Sequence, residues 1–188
     1  MRIVAGKHKG RTLAVPVGTG IRPTSDMVRE SLFNTLTHGS YGVAKESVFD
    51  NARVLDAFAG SGSLGFESLS RGASECVFME NAKAALKVIN ENSISLGETS
   101  SVLVLRTDVT CPPPAAKPVD LLFLDPPYNA KLLKPALRGL LDANWVGTGT
   151  VCCVESDARD EFETLPKMQL LLNRRYGRTR IVILRSCC

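Results

Sequence analysis

The chain has 188 residues, 44% apolar and 22% charged, with a formal net charge of +4. That length and balance are ordinary for one soluble domain with a substantial core. No apolar run approaches the roughly 20 residues of a membrane span, and residues 1–6 lead into no signal-peptide core, so a cytoplasmic protein without membrane contact is expected.

In chain order, residues 3–5 and 12–15 read as a short β-hairpin around a glycine-bounded basic tip, residues 6–11. A loop through Gly18, Gly20 and Pro23 follows. Thr24, Ser25 and Asp26 offer cap chemistry for a helix over 26–37, striped by Val28, Leu32, Phe33 and Leu36. Residues 38–52 look irregular. Strands and helices then alternate: strand 53–56, helix 63–70 ending at Gly72, strand 75–79, a helix capped by Asn81 and running to Leu96, and strand 102–105. A proline-rich loop leads to strand 119–124, then come helix 131–142 and strand 150–154. Residues 168–174 and 179–184 form an antiparallel pair joined by Tyr176, Gly177 and Arg178. Repeated β–α units imply an α/β fold with a doubly wound, mostly parallel sheet and helices on both faces. The expected organisation is an N-terminal extension, 1–37, and a main domain, 38–188.

The charge is unevenly spread. Residues 1–25 hold five basic residues and no acid, as do residues 173–188, and the middle is acidic. Basic ends around an acidic centre suggest a polyanion gripped by the ends and a cation held between them. Six cysteines accompany only two histidines, with no Cys-x-x-Cys pair, so reduced thiols and no metal site are expected.

Two motifs carry chemistry. Asp56 to Gly65 follows a strand and opens a helix, and Gly60, Gly62 and Gly65 satisfy the dinucleotide pattern, with Glu80 about 20 residues on. A nicotinamide enzyme is thus a rival reading. Asp56 speaks against it, because a carboxylate beside the loop would repel a pyrophosphate. S-adenosylmethionine is cationic and phosphate-free, so Asp56 would attract it. Glu80 could take its ribose hydroxyls, and Asp108, after the third strand, its adenine amine.

The second motif is Asp125-Pro126-Pro127-Tyr128, at the end of the 119–124 strand. Each proline lacks an amide donor and holds its predecessor extended. The result is a stiff ledge of acceptors beside an aromatic face, suited to a planar base with an exocyclic amine. A proline turn that merely closes a strand is the competing reading. If strands 53–56 and 119–124 are neighbours, both motifs face one crevice at the carboxyl edge of the sheet. Methyl carbon and target nitrogen could then approach to about 3–3.5 Å.

With these motifs the chain resembles the bacterial RsmD-type 16S rRNA (guanine-N2) methyltransferases. The likeness rests on Gly6 with Gly10-Arg11-Thr12-Leu13, Arg22-Pro23-Thr24 with Val28-Arg29-Glu30, the glycine loop, Ser70-Arg71-Gly72, Asp125 to Tyr128, and Tyr176-Gly177. The resemblance implies a seven-stranded class I, Rossmann-like fold, S-adenosylmethionine as donor, and a guanine of 16S rRNA in the 30S subunit or an assembly intermediate as acceptor. It implies catalytic roles for Asp125, Pro126, Pro127 and Tyr128. Cofactor contacts are expected from Asp56, Phe58, Ala59, Gly60, Gly62, Glu80, Asn81 and Asp108. RNA contacts are expected from Lys7, Lys9, Arg11, Arg22, Thr24 and Arg29, in a monomer. Met27 departs from the basic residue such proteins often carry, and Cys187-Cys188 has no assigned role. The alternative is an amino-methyltransferase of DNA or another RNA, acting on adenine N6 or cytosine N4.

Overall fold

Strand β1 (Arg53–Ala57) is buried along its whole length, its charged Arg53 and Asp56 included, as befits the centre of a covered sheet. Around it lie β2 (Glu75–Glu80), β3 (Val102–Arg106), β4 (Val119–Leu124), β5 (Val146–Asp157), β6 (Met168–Tyr176) and β7 (Thr179–Ser186), with helices α1 (Asp26–His38), α2 (Ser63–Ser70), α3 (Lys83–Leu96) and α4 (Leu133–Asp142). The structure is a computed structural model and describes residues 1–16, 26–39, 41, 47–127, 131–160 and 166–187. The loop through Gly18, Gly20 and Pro23, the Thr24-Ser25 cap, Arg22, Tyr128 and Cys188 lie outside the described residues.

The seven strands are ordered β3-β2-β1-β4-β5-β7-β6. β1 to β5 are parallel, and β7 enters antiparallel between β5 and β6. Side-chain alternation divides the core in two. Val54, Leu121, Phe123, Cys153 and Ile183 pack with α1, α2 and α3 on one face. Leu55, Leu122, Leu124, Cys152 and Leu184 pack with α4 on the other. The chain reverses between β1 and β4, so the switch point is there, and ligand crevices of open α/β sheets form above such points.

The N-terminal segment departs from its expected register. Arg2 bridges Thr12, Ile3 N–H donates to the Arg11 carbonyl at 3.0 Å, and Leu13 N–H donates to that of Met1 at 3.0 Å. Residues 1–3 therefore pair with 11–13. Val4 and Ala5 N–H instead donate to the Glu67 carboxylate, at 2.8 and 3.1 Å. Docking on α2 overrides the continuation of the hairpin. At Gly6, with φ of +79°, an added Cβ would lie 1.7 Å from the Ser70 carbonyl oxygen, so the segment touches α2 backbone to backbone. Ile3, Leu13, Val28, Leu32 and Phe33 share one core with Val54 and Phe66, which makes the extension continuous with the main domain.

Candidate active site

The register of β1 and β4 builds the site. Asp56 pairs with Phe123 and Ala57 with Leu124. The next residues, Phe58 and Asp125, therefore leave the sheet side by side, one strand spacing of about 4.8 Å apart. The glycine loop and the acceptor ledge share the carboxyl edge.

The loop turns sharply to reach α2. Phe58, Gly60 and Gly62 all have positive φ, at 63°, 56° and 77°. Glycine accepts that region freely, whereas phenylalanine there is strained, and such strain persists where surrounding structure enforces it. Gly65 and Gly62 lie tight against Phe78, 2.3 and 3.0 Å from an added Cβ, so α2 sits close on the sheet. Gly60 differs: an added Cβ would meet nothing nearer than 4.0 Å. Its backbone faces open space at the rim, where a ligand can lie against it.

Glu80 organises this rim. Its Oε2 accepts from Gly60 N–H at 2.9 Å, and its Oε1 accepts from Asn81 and Ala82 N–H at 2.8 and 2.9 Å. Asn81 is not the helix cap expected of it. Ala82 occupies that position without a side-chain bond, and Glu80 instead holds the two amides that lead into the helix. Asp108 is exposed, and its Oδ1 accepts from both N–H and Oγ of Thr110 at 2.8 Å. Those bonds hold its carboxyl below the usual carboxylate range.

Asp56 departs from expectation. It is 2% exposed, and its Oδ2 accepts from Gly65 N–H at 2.9 Å. Its strand position turns it beneath the loop, against α2, where it braces the turn from inside. Burial pushes its carboxyl up to about 7; the Gly65 amide opposes that rise and the Glu80 charge adds to it. The folded state then holds a proton that the unfolded chain releases above its ordinary value of 3.8. Stability from this group is full below that value and is lost as pH rises to about 7. Wild type should lose about 2–3 kcal/mol more than Asp56→Asn between about pH 5 and 7.5 in denaturant titrations. Parallel pH profiles would remove Asp56 as the cause.

Asp125 and Pro126 are half-buried and Pro127 is exposed. Beside Asp125 a small pocket opens, lined also by Leu32, Leu64, Phe123, Glu155 and Ile181. The pocket lies on the α1 side of β4, and the Ser31 hydroxyl donates to Tyr176 Oη at 2.9 Å, tying α1 to β6.

The expected RNA contacts separate from this rim. Arg29 is 2% exposed, and its Nη2 donates to the Arg2 carbonyl at 2.8 Å, so it is an interior residue and offers no surface charge. Lys7 N–H donates to the Ser70 carbonyl at 2.8 Å, at the C-terminal end of α2. Lys7 Nζ lies 2.6 Å from Glu98, and Arg11 Nη2 donates to the Ser95 carbonyl at 2.5 Å. These partners sit where α2 and α3 end, at the amino edge of the sheet. The eight residues of α2 put about 12 Å between that edge and the glycine loop. Lys9 remains exposed.

Sequence reasoning missed the residues that dock the extension. Asn92 is 2% exposed. Its Nδ2 donates to the carbonyls of Ala14 and Ser61, at 3.1 Å each, and its Oδ1 accepts from Ala14 N–H at 2.8 Å. It thereby links α3, the glycine loop and the N-terminal segment. One signal was legible: Asn92 falls on the helical stripe of Val88, Ile89 and Leu96, where a polar side chain needs a partner. Glu67 is 1% exposed and joins Val4, Ala5 and Arg71.

Among the described residues no helix is long and apolar enough to cross a membrane, and no group of three or more His, Cys, Asp or Glu could hold a metal ion.

Residues 1–185 match the family model described as "Conserved hypothetical protein 95". The ribosomal RNA small subunit methyltransferase D of Escherichia coli K12 is 34% identical over 166 residues, 88% of this chain and 79% of its own length. Its Haemophilus influenzae counterpart of the same name is 34% identical over 181 residues, 94% and 89% of the two chains. The solved structure of yhhF from Escherichia coli superposes with a TM-score of 0.83 at 30% identity, over 100% of this chain and 98% of that one.

Proposed function

This chain belongs to the Conserved hypothetical protein 95 family, the RsmD-type methyltransferases, and from that membership we propose that it transfers a methyl group from S-adenosylmethionine to the exocyclic N2 amine of a guanine in small-subunit rRNA. The observation that carries the reading is the parallel pairing of β1 with β4, which sets a glycine rim beside an acceptor ledge.

The rim fits an adenosyl cation. Gly60 leaves open space, and Glu80 and Asp108 supply carboxylates at the ends of neighbouring strands, a charge that favours a cation. Bound there, S-adenosylmethionine would supply an electrophilic methyl group. The residues of this chain do the rest by position and electrostatics. The Asp125 carboxylate and the Pro126 carbonyl accept the two N–H bonds of the incoming amine. That turns its lone pair out of conjugation with the ring. Neither proline has an amide proton to compete. As the nitrogen gains positive charge, the Asp125 carboxylate stabilises it and accepts a proton. The guanine must leave any stack to reach the ledge. A small subunit or its assembly intermediate is the expected bearer, by analogy with the small subunit methyltransferases that the chain matches.

The test supplies labelled S-adenosylmethionine with 16S rRNA, unmodified small subunits, or DNA. Label at N2 of one guanine in rRNA is expected. Label on adenine N6, on cytosine N4 or on DNA would overturn the assignment of the acceptor.

A further inference from the structure

The structure places a second basic cluster, apart from the N-terminal tip, at the carboxyl edge of the sheet. β7 runs antiparallel to β5, with Asp157 opposite Thr179 and Val154 opposite Val182. The β6–β7 turn therefore projects from the carboxyl edge, the edge that carries Asp125 and the glycine loop. Arg178 is exposed on that turn, and Arg174 and Arg175 are exposed on the end of β6 that leads into it. The other arginines of the segment are spent inside: Arg180 Nη2 donates to the Ala158 carbonyl at 2.9 Å, and Arg185 Nη2 to the Tyr41 carbonyl at 3.0 Å.

Register aims Arg174 at the pocket face, whereas Arg175, opposite Arg180, projects to the other face of the same hairpin end. Arg174 pairs with Ile181, and residues directly opposite in an antiparallel ladder project to one face. Ile181 lines the pocket beside Asp125. Arg174 thus stands on the pocket side of the sheet, level with Asp125 and three strands away, about 14 Å. The Ser31–Tyr176 hydrogen bond anchors the turn on α1. Among the described residues none of the three arginines forms an ion pair, and the nearby Asp157 is engaged by Arg159 at 2.7 and 2.9 Å. Arg178 also lies within electrostatic reach of Asp157, so the field of the cluster is only partly balanced there. Like charges gathered at one hairpin end cost stability, and a polyanion relieves that cost.

We infer that the β6–β7 turn, through Arg174, Arg175 and Arg178, is the phosphate grip that seats the RNA strand flanking the target base. The inference rests on the reading of the substrate as RNA and adds the surface that holds it. It also reassigns the N-terminal tip: Lys7 and Arg11 fasten that tip to the C-terminal ends of α2 and α3, on the opposite rim.

The test measures binding of a 16S rRNA transcript and of unmodified small subunits across a potassium chloride series. Each phosphate contact contributes about −0.7 to the slope of log K against log salt on single strands. The variant R174Q/R175Q/R178Q should flatten that slope by about 2. It should raise the KM for RNA roughly tenfold at about 0.15 M salt, with kcat at saturating RNA and S-adenosylmethionine affinity both near wild type. The control K117Q/K167Q removes two exposed cations from the amino edge and should leave the slope within about 0.5 of wild type. A triple variant with wild-type slope and KM overturns the inference, as does a control that loses as much slope per charge. Binding alone reports the slope. A wild type that transfers no methyl group would therefore count against the proposed function while the slope still decides this one.

Discussion

Asp125→Ala is expected to reduce methyl transfer to RNA by at least about 10²–10³-fold in kcat, while the dissociation constant of S-adenosylmethionine stays within about threefold of wild type. The separation follows from the geometry. Asp125 leaves the end of β4, and the rim that fits the donor hangs from β1 and β2. Its carboxylate meets the acceptor amine, whose positive charge develops only as the reaction proceeds. A group that acts there changes kcat more than binding. Asp125→Asn sharpens the test. It keeps one oxygen acceptor and the size of the side chain but removes the negative charge and adds a donor that opposes the amine. A partial loss, smaller than that of alanine, is expected. Single-turnover transfer with pre-bound RNA, paired with calorimetric donor binding, reads both quantities. Wild-type turnover in Asp125→Ala would take the ledge out of the mechanism, and a lost donor site in that variant would reassign Asp125 to the rim.

What the sequence made legible, and what it did not, separates along physical lines. The alternation of apolar strands with capped helices identified the parallel sheet, since periodicity is a local property. The glycine loop and the proline ledge were legible because their chemistry is confined to a few consecutive residues. The side to which a residue turns was less accessible. Asp56 was recognised as an acid beside the loop, yet it points inward, because β1 lies between two paired strands and its last residues are still enclosed. Arg29 shared its fate: a basic residue on α1 reads as surface until the packing of α1 against the N-terminal segment encloses it. The basic tip at residues 6–11 was legible as charge, but its place is decided by contacts with residues 60 to 90 positions away, such as Ser70 and Glu98. Conversely, Arg174 was legible as part of a basic end, and only the order β5-β7-β6 put it at the edge that carries the crevice. Ser70 and Arg71, quoted as family signature, acquire a physical reason. Ser70 Oγ accepts from His8 N–H at 3.0 Å and donates to the Ala5 carbonyl, and Arg71 lies over the Phe33 ring at 5.0 Å.

Those contacts converge on Glu67, and Glu67→Ala should be strongly destabilising, by about 3–5 kcal/mol. Its carboxylate is 1% exposed and accepts three bonds: Val4 N–H at 2.8 Å, Ala5 N–H at 3.1 Å and Arg71 Nε at 2.8 Å. Alanine would strand two amides and leave the Arg71 guanidinium, 8% exposed, without its counter-ion. Arg71 also donates from Nη1 to Thr37 Oγ1 at 2.9 Å, so α1 loses a fixed point together with the N-terminal segment. Glu67→Gln retains one acceptor oxygen but turns an amide N–H₂ toward the same donors. It should cost less than alanine, about 1–3 kcal/mol, because the shape survives and the charge does not. Urea titration with hydrogen exchange tells a local from a global effect. The amides of Val4 and Ala5 should lose protection in both variants before the β1 and β4 amides do. Because Asn92 and the contact between Ser61 and Met1 tie this segment to the glycine loop, donor affinity should weaken as the segment detaches. An alanine variant with the wild-type urea midpoint would mean that the extension is held by its apolar contacts, Ile3 and Leu13, and that the buried carboxylate is dispensable.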